Sequence, residues 1–268
     1  MENITLDPEY ENLIIEVNKL KEKVAEKIAE RDMLAFHVIP DIEAKYMNKI
    51  GVLENDAFIA NLKLIKANRK LELYKERIKL KAPINDKEIE NQLNIEFDEI
   101  EEEYNELQEE VFLDVDDDFT DKVTEELLKL LNVIYKNLIK RLSPLINFDN
   151  TRIDNQLYEL LEKSYRELDL SMMTKLQTIC EQVKADSSLA IGDVKTLEKA
   201  KSKYLDLISE NEEIILHIKS SDSFEKKRIL DDENLVRKTK KEINEEINQI
   251  EEETKKVEKE LKKLQKSL

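Results

Sequence analysis

Residues 53–80 read LENDAFIANLKLIKANRKLELYKERIKL, and this stretch decides the fold that we expect. Its apolar residues recur at alternating intervals of three and four, which is the spacing of a helix that pairs with another helix. The seam consists of Leu53, Ala57, Ala60, Leu64, Ala67, Leu71, Tyr74 and Ile78. The pattern therefore predicts a long amphipathic helix that needs a partner helix.

A second helical stretch follows a break at Pro83. Proline has no amide donor and restricts the residue before it, so the first helix should end there. The second seam consists of Ile89, Leu93, Phe97, Ile100, Tyr104, Leu107 and Val111. Residues 58–82 hold eight Lys/Arg and two acids, whereas residues 86–118 hold sixteen Asp/Glu and one lysine. These opposite charges favour an antiparallel helical hairpin, and two independently solvated faces are the alternative.

Similar seams flank this hairpin. Residues 6–34 carry a heptad stripe that Pro40 is expected to interrupt, and the clearest heptads of the chain lie at 243–268. The sequence leaves open whether these terminal seams pair with each other or between two chains. We expect a homodimer, because a dimer would bury all of them. Four consecutive segments are expected: an N-terminal helix and connector at 1–50, the hairpin at 51–118, a small helical domain at 119–190 and a C-terminal coiled coil at 191–268.

The composition excludes most enzyme classes. Glycine and proline together number 6 in 268 residues, too few for the turns and phosphate loops of an α/β enzyme, so we expect an all-α fold. The two histidines, His37 and His217, lie in separate helical contexts, and we expect His37 to be packed or partly exposed rather than a metal ligand. We therefore expect no catalytic residues, no cofactor and no metal. Residues 114–125 have part of the spacing of a calcium loop, but Phe119 replaces the required glycine, and a negative cluster that caps the next helix is the simpler interpretation.

The charge bounds the partners and the location. The net charge of −17 disfavours nucleic acid, because phosphates repel an acidic chain. The longest stretch without Asp, Glu, Lys or Arg is 33–40, which is too short to span a bilayer, so we expect a cytoplasmic protein without membrane insertion. The single cysteine, Cys180, should pack in a helical core, and Met172 and Met173 should do the same.

The central segment differs from the coiled-coil arms. Residues 123–142 have a broad apolar face, and IYKNLIKRLSPLINFDN at 134–150 is followed by QLYELLEKSYREL at 156–168. This pair resembles helices II and III of a J domain, with Pro144 at the position of the loop proline. The surrounding sequence looks like uncharacterised bacterial coiled-coil proteins that embed a degenerate J-like element. The resemblance implies a fold of long antiparallel coiled-coil hairpins that flank a J-like helical insert.

The resemblance also implies a function. Ser143 and Leu145 stand where the His and Asp of the J-domain His-Pro-Asp motif would be, so stimulation of a DnaK-type ATPase should be weak or absent. The expected role is a non-enzymatic, co-chaperone-like adaptor that binds a protein partner, either a DnaK-type chaperone or an operon-encoded protein. The partner-binding residues it implies are Tyr135, Lys136, Lys140, Arg141, Ser143 and Pro144. The alternative is a structural coiled-coil subunit of a larger bacterial assembly without a chaperone link.

Overall fold

The computed structural model of the chain describes residues 8–114, 125–183 and 193–267. Within these ranges the regular secondary structure is helical, which confirms the all-α class. The helices are α1 (Pro8–Met33), α2 (Ile39–Tyr46), α3 (Val52–Lys79), α4 (Asp86–Asp114), α5 (Glu125–Leu142), α6 (Arg152–Arg166), α7 (Leu170–Val183), α8 (Val194–Lys219), α9 (Asp222–Leu230) and α10 (Glu233–Lys266). Two π-helical turns, Leu34–Val38 and Met47–Gly51, join α1 to α2 and α2 to α3.

The prediction that Pro40 interrupts the first helical stretch is wrong. Residues 8–79 are helical throughout, including the connector expected within 1–50. The π-helical turn Leu34–Val38 lies just before the proline. A proline inside an α-helix removes one amide donor and clashes with the carbonyl group four residues earlier, here that of Phe36. The wider π turn accommodates that carbonyl, so the chain stays helical across Pro40.

The described residues form two compact units, each assembled from two separate stretches of chain. Of the described residues, unit 1 contains 8–41, 125–183 and 193–225, and unit 2 contains 42–114 and 226–267. This division differs from the four consecutive segments expected from the sequence.

Unit 1 is a helical bundle with one apolar core. α1 lies along α8 and also contacts α5, while α7 packs on both α5 and α6. The fully buried residues include Val24, Ile28, Leu131, Leu138, Ile139, Leu142, Leu161 and Leu176. Met173 and Cys180 are buried in the same core and Met172 packs against it, as the sequence predicts.

Unit 2 is built around α3. α10 lies along α3 over the more extensive interface, and α4 contacts α3 as well. One buried cluster consists of Leu71, Leu73, Tyr74, Ile89, Leu93, Phe97 and Leu261. Ion pairs link the basic helix α3 to the acidic helix α4, at 2.5 Å for Lys66–Glu101 and 3.0 Å for Arg77–Glu88. Basic side chains of α3 therefore pair with acidic side chains of α4, as the charges of the two arms suggest.

The two terminal seams each pack inside their own unit: α1 against α8 and α5, and α10 against α3. In the seam of α10, Leu261 is buried and Ile243, Ile247 and Ile250 are half-buried. No helix in the described ranges combines the length and apolarity that crossing a bilayer requires. The calcium-like spacing falls mainly on residues 115–124, which lie outside the described residues. Elsewhere in the described chain, no three acidic, histidine or cysteine side chains are grouped to hold a metal ion.

Candidate protein-binding site

The predicted site lies on α5, α6 and the loop that joins them. Two asparagines in this loop close the C-terminal end of α5. The Asn147 side-chain amide donates to the carbonyl oxygen of Lys140 at 3.2 Å, and the Asn150 amide donates to that of Leu142. The last carbonyl groups of a helix have no partner within the helix, so these asparagines satisfy them. The loop is thereby fixed against the end of α5.

α6 begins with a capping box. The Thr151 hydroxyl oxygen accepts a hydrogen bond from the Asp154 amide at 3.2 Å, and the Asp154 carboxylate accepts one from the Thr151 amide at 2.9 Å. Such reciprocal bonds satisfy two amides at a helix start and fix where the helix begins. α5, the loop and α6 thus form the two-helix hairpin that the resemblance implies, although the J-like relationship itself stays a prediction.

Lys136, Lys140 and Arg141, three of the predicted partner-binding residues, form the basic face of α5. Its two lysines contact α1. Lys136 lies 3.4 Å from a carboxylate oxygen of Glu22 and 3.2 Å from one of Glu26, and Lys140 also pairs with Glu22. The hydrogen bond from Lys140, together with the charges of both lysines, lowers the pKa of Glu22 below its ordinary value. Both lysines are therefore occupied within unit 1.

α1 is an integral part of the unit 1 core. Val17, Val24, Ala25 and Ile28 are fully buried, and Glu22 and Glu26 lie beside them on the same helix. Full burial of a valine or isoleucine side chain stabilises a fold by roughly 1.5–3 kcal/mol. Exposing Lys136 and Lys140 by removal of α1 would forfeit several such contributions.

Tyr135 has no exposed surface. Its hydroxyl donates to the buried Asp32 carboxylate at 2.9 Å, and the Arg31 guanidinium donates to the same carboxylate at 2.7 Å. Its ring stacks on Tyr165 with 3.7 Å between the ring centroids. Burial and the charge of Asp32 raise the pKa of Tyr135. Tyr135 thus joins α1, α5 and α6 inside the unit, and in this structure a partner could not reach it.

The Ser-Pro-Leu loop divides between core and surface. Ser143 is fully buried, its amide donates to the Ile139 carbonyl at 2.9 Å, and its hydroxyl oxygen accepts from the Leu145 amide at 3.3 Å. Pro144 and Leu145 are exposed, and Arg141 is half-buried. Of the six predicted partner-binding residues, Pro144 is the one that the structure places fully at the surface.

His37 is packed, as the sequence predicts. It is 3% exposed, and its ring meets Tyr165 edge to face with 4.7 Å between centroids. Neither ring nitrogen makes a hydrogen bond of good geometry to a described residue. Burial lowers the pKa of His37 to about 4, against a smaller opposing effect of the Tyr165 backbone. Its surroundings favour a neutral, structural imidazole.

Sequence reasoning did not identify the acidic residues of α1 that pair with Lys136, Lys140 and Tyr135. Glu22 and Glu26 are four residues apart on α1, and Lys136 and Lys140 are four residues apart on α5. Matched i, i+4 spacing places each pair on one face of its helix, and this match could have suggested that the two faces meet. Asp32 offers no such signal, since its hydrogen bond from Tyr135 spans 103 positions of sequence.

A second candidate surface lies on unit 2, between α3 and α4. We call it the α3–α4 groove; it has a volume of about 340 Å³. Its lining includes Ile65, Arg69, Glu72, Glu96, Phe97 and Ile100. Ile65 and Ile100 are 46% and 44% exposed, although both lie where the two helices meet. The expected seam of α3 omits Ile65 and Phe58; their seven-residue spacing marks a second apolar stripe on the same helix.

Comparison with known proteins gives no match to a family model, to a curated protein or to a solved structure.

Proposed function

We propose that the chain is a non-enzymatic, protein-binding adaptor that uses the α3–α4 groove to hold a partner, with the cytoplasmic location expected from the sequence. One observation carries this proposal. Ile65 and Ile100 remain 46% and 44% exposed along a cleft between two paired helices. Phe58, which is 41% exposed, lies two helical turns earlier on α3 and stacks on Tyr104 of α4. Contiguous apolar side chains rimmed by charges are typical of protein-interaction surfaces.

Each exposed apolar side chain of the groove contributes a modest binding free energy, and the contributions add up along the groove. Covering the exposed half of an isoleucine or phenylalanine side chain contributes about 1 kcal/mol of binding free energy before the costs of association. Three such side chains in line supply the apolar centre that specific interfaces place inside a polar rim. Arg69, Glu72 and Glu96 form such a rim here.

Photo-crosslinking in the native host tests this function. A photo-crosslinking residue in place of Ile100 should attach the chain to another protein. The matched control replaces Ile95, which is 78% exposed on the opposite side of the same helix. Protein adducts at position 100 and none at position 95 support the proposal. Equal adducts at both positions, or none at position 100, contradict it.

A co-chaperone role through the J-like hairpin is the second candidate. The observation in its favour is the exposure of Pro144 and Leu145 at the tip of the hairpin, just after the basic last turn of α5. Against it, α1 already occupies Lys136 and Lys140. A partner would therefore have to dock on the loop, at Pro144 and Leu145. Stimulation of ATP hydrolysis by a DnaK-type chaperone, lost on Pro144→Ala, is the result that this candidate requires.

A further inference from the structure

The floor of the α3–α4 groove is apolar and elongated. Phe97 is buried at its base, flanked by Ile65 and Ile100. Phe58 lies seven residues before Ile65, about 10 Å along α3, and its ring stacks on Tyr104 of α4 with 4.6 Å between centroids. Apolar side chains thus follow the line between the two helices for about two helical turns. Such a strip has the shape that accepts the apolar face of a further helix.

Carboxylates outnumber cations at the rim of the groove. Lys66, whose ammonium lies 5.4 Å from the centroid of the Phe97 ring, is paired with Glu101. Arg69 is surrounded by three carboxylates, with its guanidinium 2.8 Å from Glu96, 3.3 Å from Glu72 and 3.8 Å from Glu76. One cation shared among three carboxylates leaves a negative excess. The hydrogen bond from Arg69 lowers the pKa of Glu96 to about 2, so this carboxylate is ionised at neutral pH.

The negative rim continues along α4. Glu96, Ile100 and Glu103 follow one another at spacings of four and three, which places them on one side of the helix. Glu103 is exposed, and within the described part of unit 2 no ion pair to it is seen. A carboxylate without a local cation beside an apolar strip favours a cationic partner.

We propose that the α3–α4 groove binds a basic amphipathic helix of a partner protein, an inference that rests on the protein-binding function proposed above. The partner helix places apolar side chains at spacings of three and four against Ile65, Phe97 and Ile100. Its lysines and arginines meet Glu72, Glu96 and Glu103 along the rim. The carboxylates of the rim select a basic partner, and the apolar side chains of the floor supply most of the binding free energy.

A synthetic peptide tests the inference on the full chain. The probe is a peptide of about 18 residues, long enough for five helical turns, with leucines at helical spacing on one face and lysines on the other. One control peptide carries glutamates in place of the lysines, and another has the same composition in scrambled order. Titration calorimetry at low and high salt measures the dissociation constants.

Matched variants locate the binding. Ile100→Ser and Glu103→Lys should each weaken the lysine peptide about tenfold, since each removes one of the two kinds of contact. Ile95→Ser and Glu102→Lys change the same residue types on the opposite side of α4 and should leave the affinity unchanged. Added salt should weaken the complex, because screening reduces the charge attraction.

Several outcomes overturn the inference. Equal binding of the acidic peptide shows that the groove does not recognise positive charge. Equal binding of the scrambled peptide shows that it does not recognise helical amphipathicity. Equal affinity in all four variants places the peptide elsewhere. A wild-type chain that is dimeric by light scattering, and becomes monomeric on Ile100→Ser, shows that a second copy occupies the groove. A crosslink at position 100 in cells without binding of the lysine peptide removes the basic helix and leaves the protein-binding function standing.

Discussion

His37 is surrounded in unit 1 by groups that stabilise its neutral form. Its imidazole packs against the ring of Tyr165, and burial lowers its pKa from 6.5 to about 4. In the unfolded chain the same imidazole is exposed and takes up a proton near its ordinary pKa. Between these two values the unfolded state binds more protons than the folded state, so the free energy of unfolding falls as the pH falls.

We expect this difference to appear as acid sensitivity. The contribution of His37 is absent above about pH 7 and costs roughly 2–3 kcal/mol of stability by about pH 4. His37→Phe, which keeps a ring against Tyr165, should lose that part of the pH dependence. His217→Phe is the control, because His217 is exposed on α8. Urea unfolding at a series of pH values measures the effect, and identical pH profiles for His37→Phe and wild type would contradict it.

Single residues show what local patterns can and cannot predict. Tyr135 stands four residues after Leu131 and three before Leu138, so the apolar periodicity alone places it on the buried face of α5. The J-like resemblance instead gave it a partner-binding role, and burial leaves it no surface for one. Its partner Asp32 could not be predicted, because a hydrogen bond between distant helices depends on how the bundle packs.

Between elements, the contact of α1 with α5 is set by charge as well as by apolar packing. Replacing Lys136 and Lys140 by glutamate places like charges on the two helices, opposite Glu22 and Glu26. We expect the free energy of unfolding to fall by about 1–2 kcal/mol, since these pairs are partly exposed. Adding Glu22→Lys and Glu26→Lys restores the pairing with inverted sign and should recover most of the loss. Thermal unfolding of the double and quadruple variants measures both steps.

The same variants separate internal pairing from docking of a partner. Lys175→Glu with Lys199→Glu makes an equal charge change on exposed positions of α7 and α8 and should leave stability nearly unchanged. The quadruple variant should keep the ion pairs between α1 and α5, but the charge of the α5 face that a chaperone would bind is reversed. A partner that the wild type binds and the quadruple variant loses would show that the basic face of α5 acts in docking after all.

Heptads predict that a helix needs a partner and leave open which helix it will be. The seam of α3 suggested α4, the next helix in sequence, as its partner. In the structure α10 lies along α3 over the larger area, and α4 also contacts α3, with ion pairs such as Arg77–Glu88. Many apolar seams fit one another equally well, so the sequence suggested the nearest helix as the partner of α3. In the folded chain α3 contacts both α4 and α10.

At the scale of the whole molecule, the expectation of a homodimer came from seams that had to be covered. The structure packs α1 against α8 and α5 and packs α10 against α3, all within one chain. We therefore predict that light scattering at micromolar concentration gives the mass of a single chain, 31.6 kDa. Twice that mass would show that the dimer expected from the sequence forms through another surface.

The all-α class followed from composition and periodicity, because six glycines and prolines cannot serve the turns of a sheet protein. The organisation into units did not follow from them. Each unit combines two stretches that are far apart in the sequence, and no local signal marks such long-range assembly. The α3–α4 groove was missed for a different reason. The pairing of these two helices was expected, but the expected seam of α3 omits Phe58 and Ile65, which form a second apolar stripe.

The central claim is that a partner docks on the α3–α4 groove and leaves the basic face of α5 untouched. Hydrogen–deuterium exchange of the full chain, with and without the lysine-rich amphipathic peptide, tests it most directly. We predict slower exchange in residues 58–72 and 96–105 and unchanged exchange in residues 136–145. Slower exchange in residues 136–145, with none in the groove, would contradict the claim.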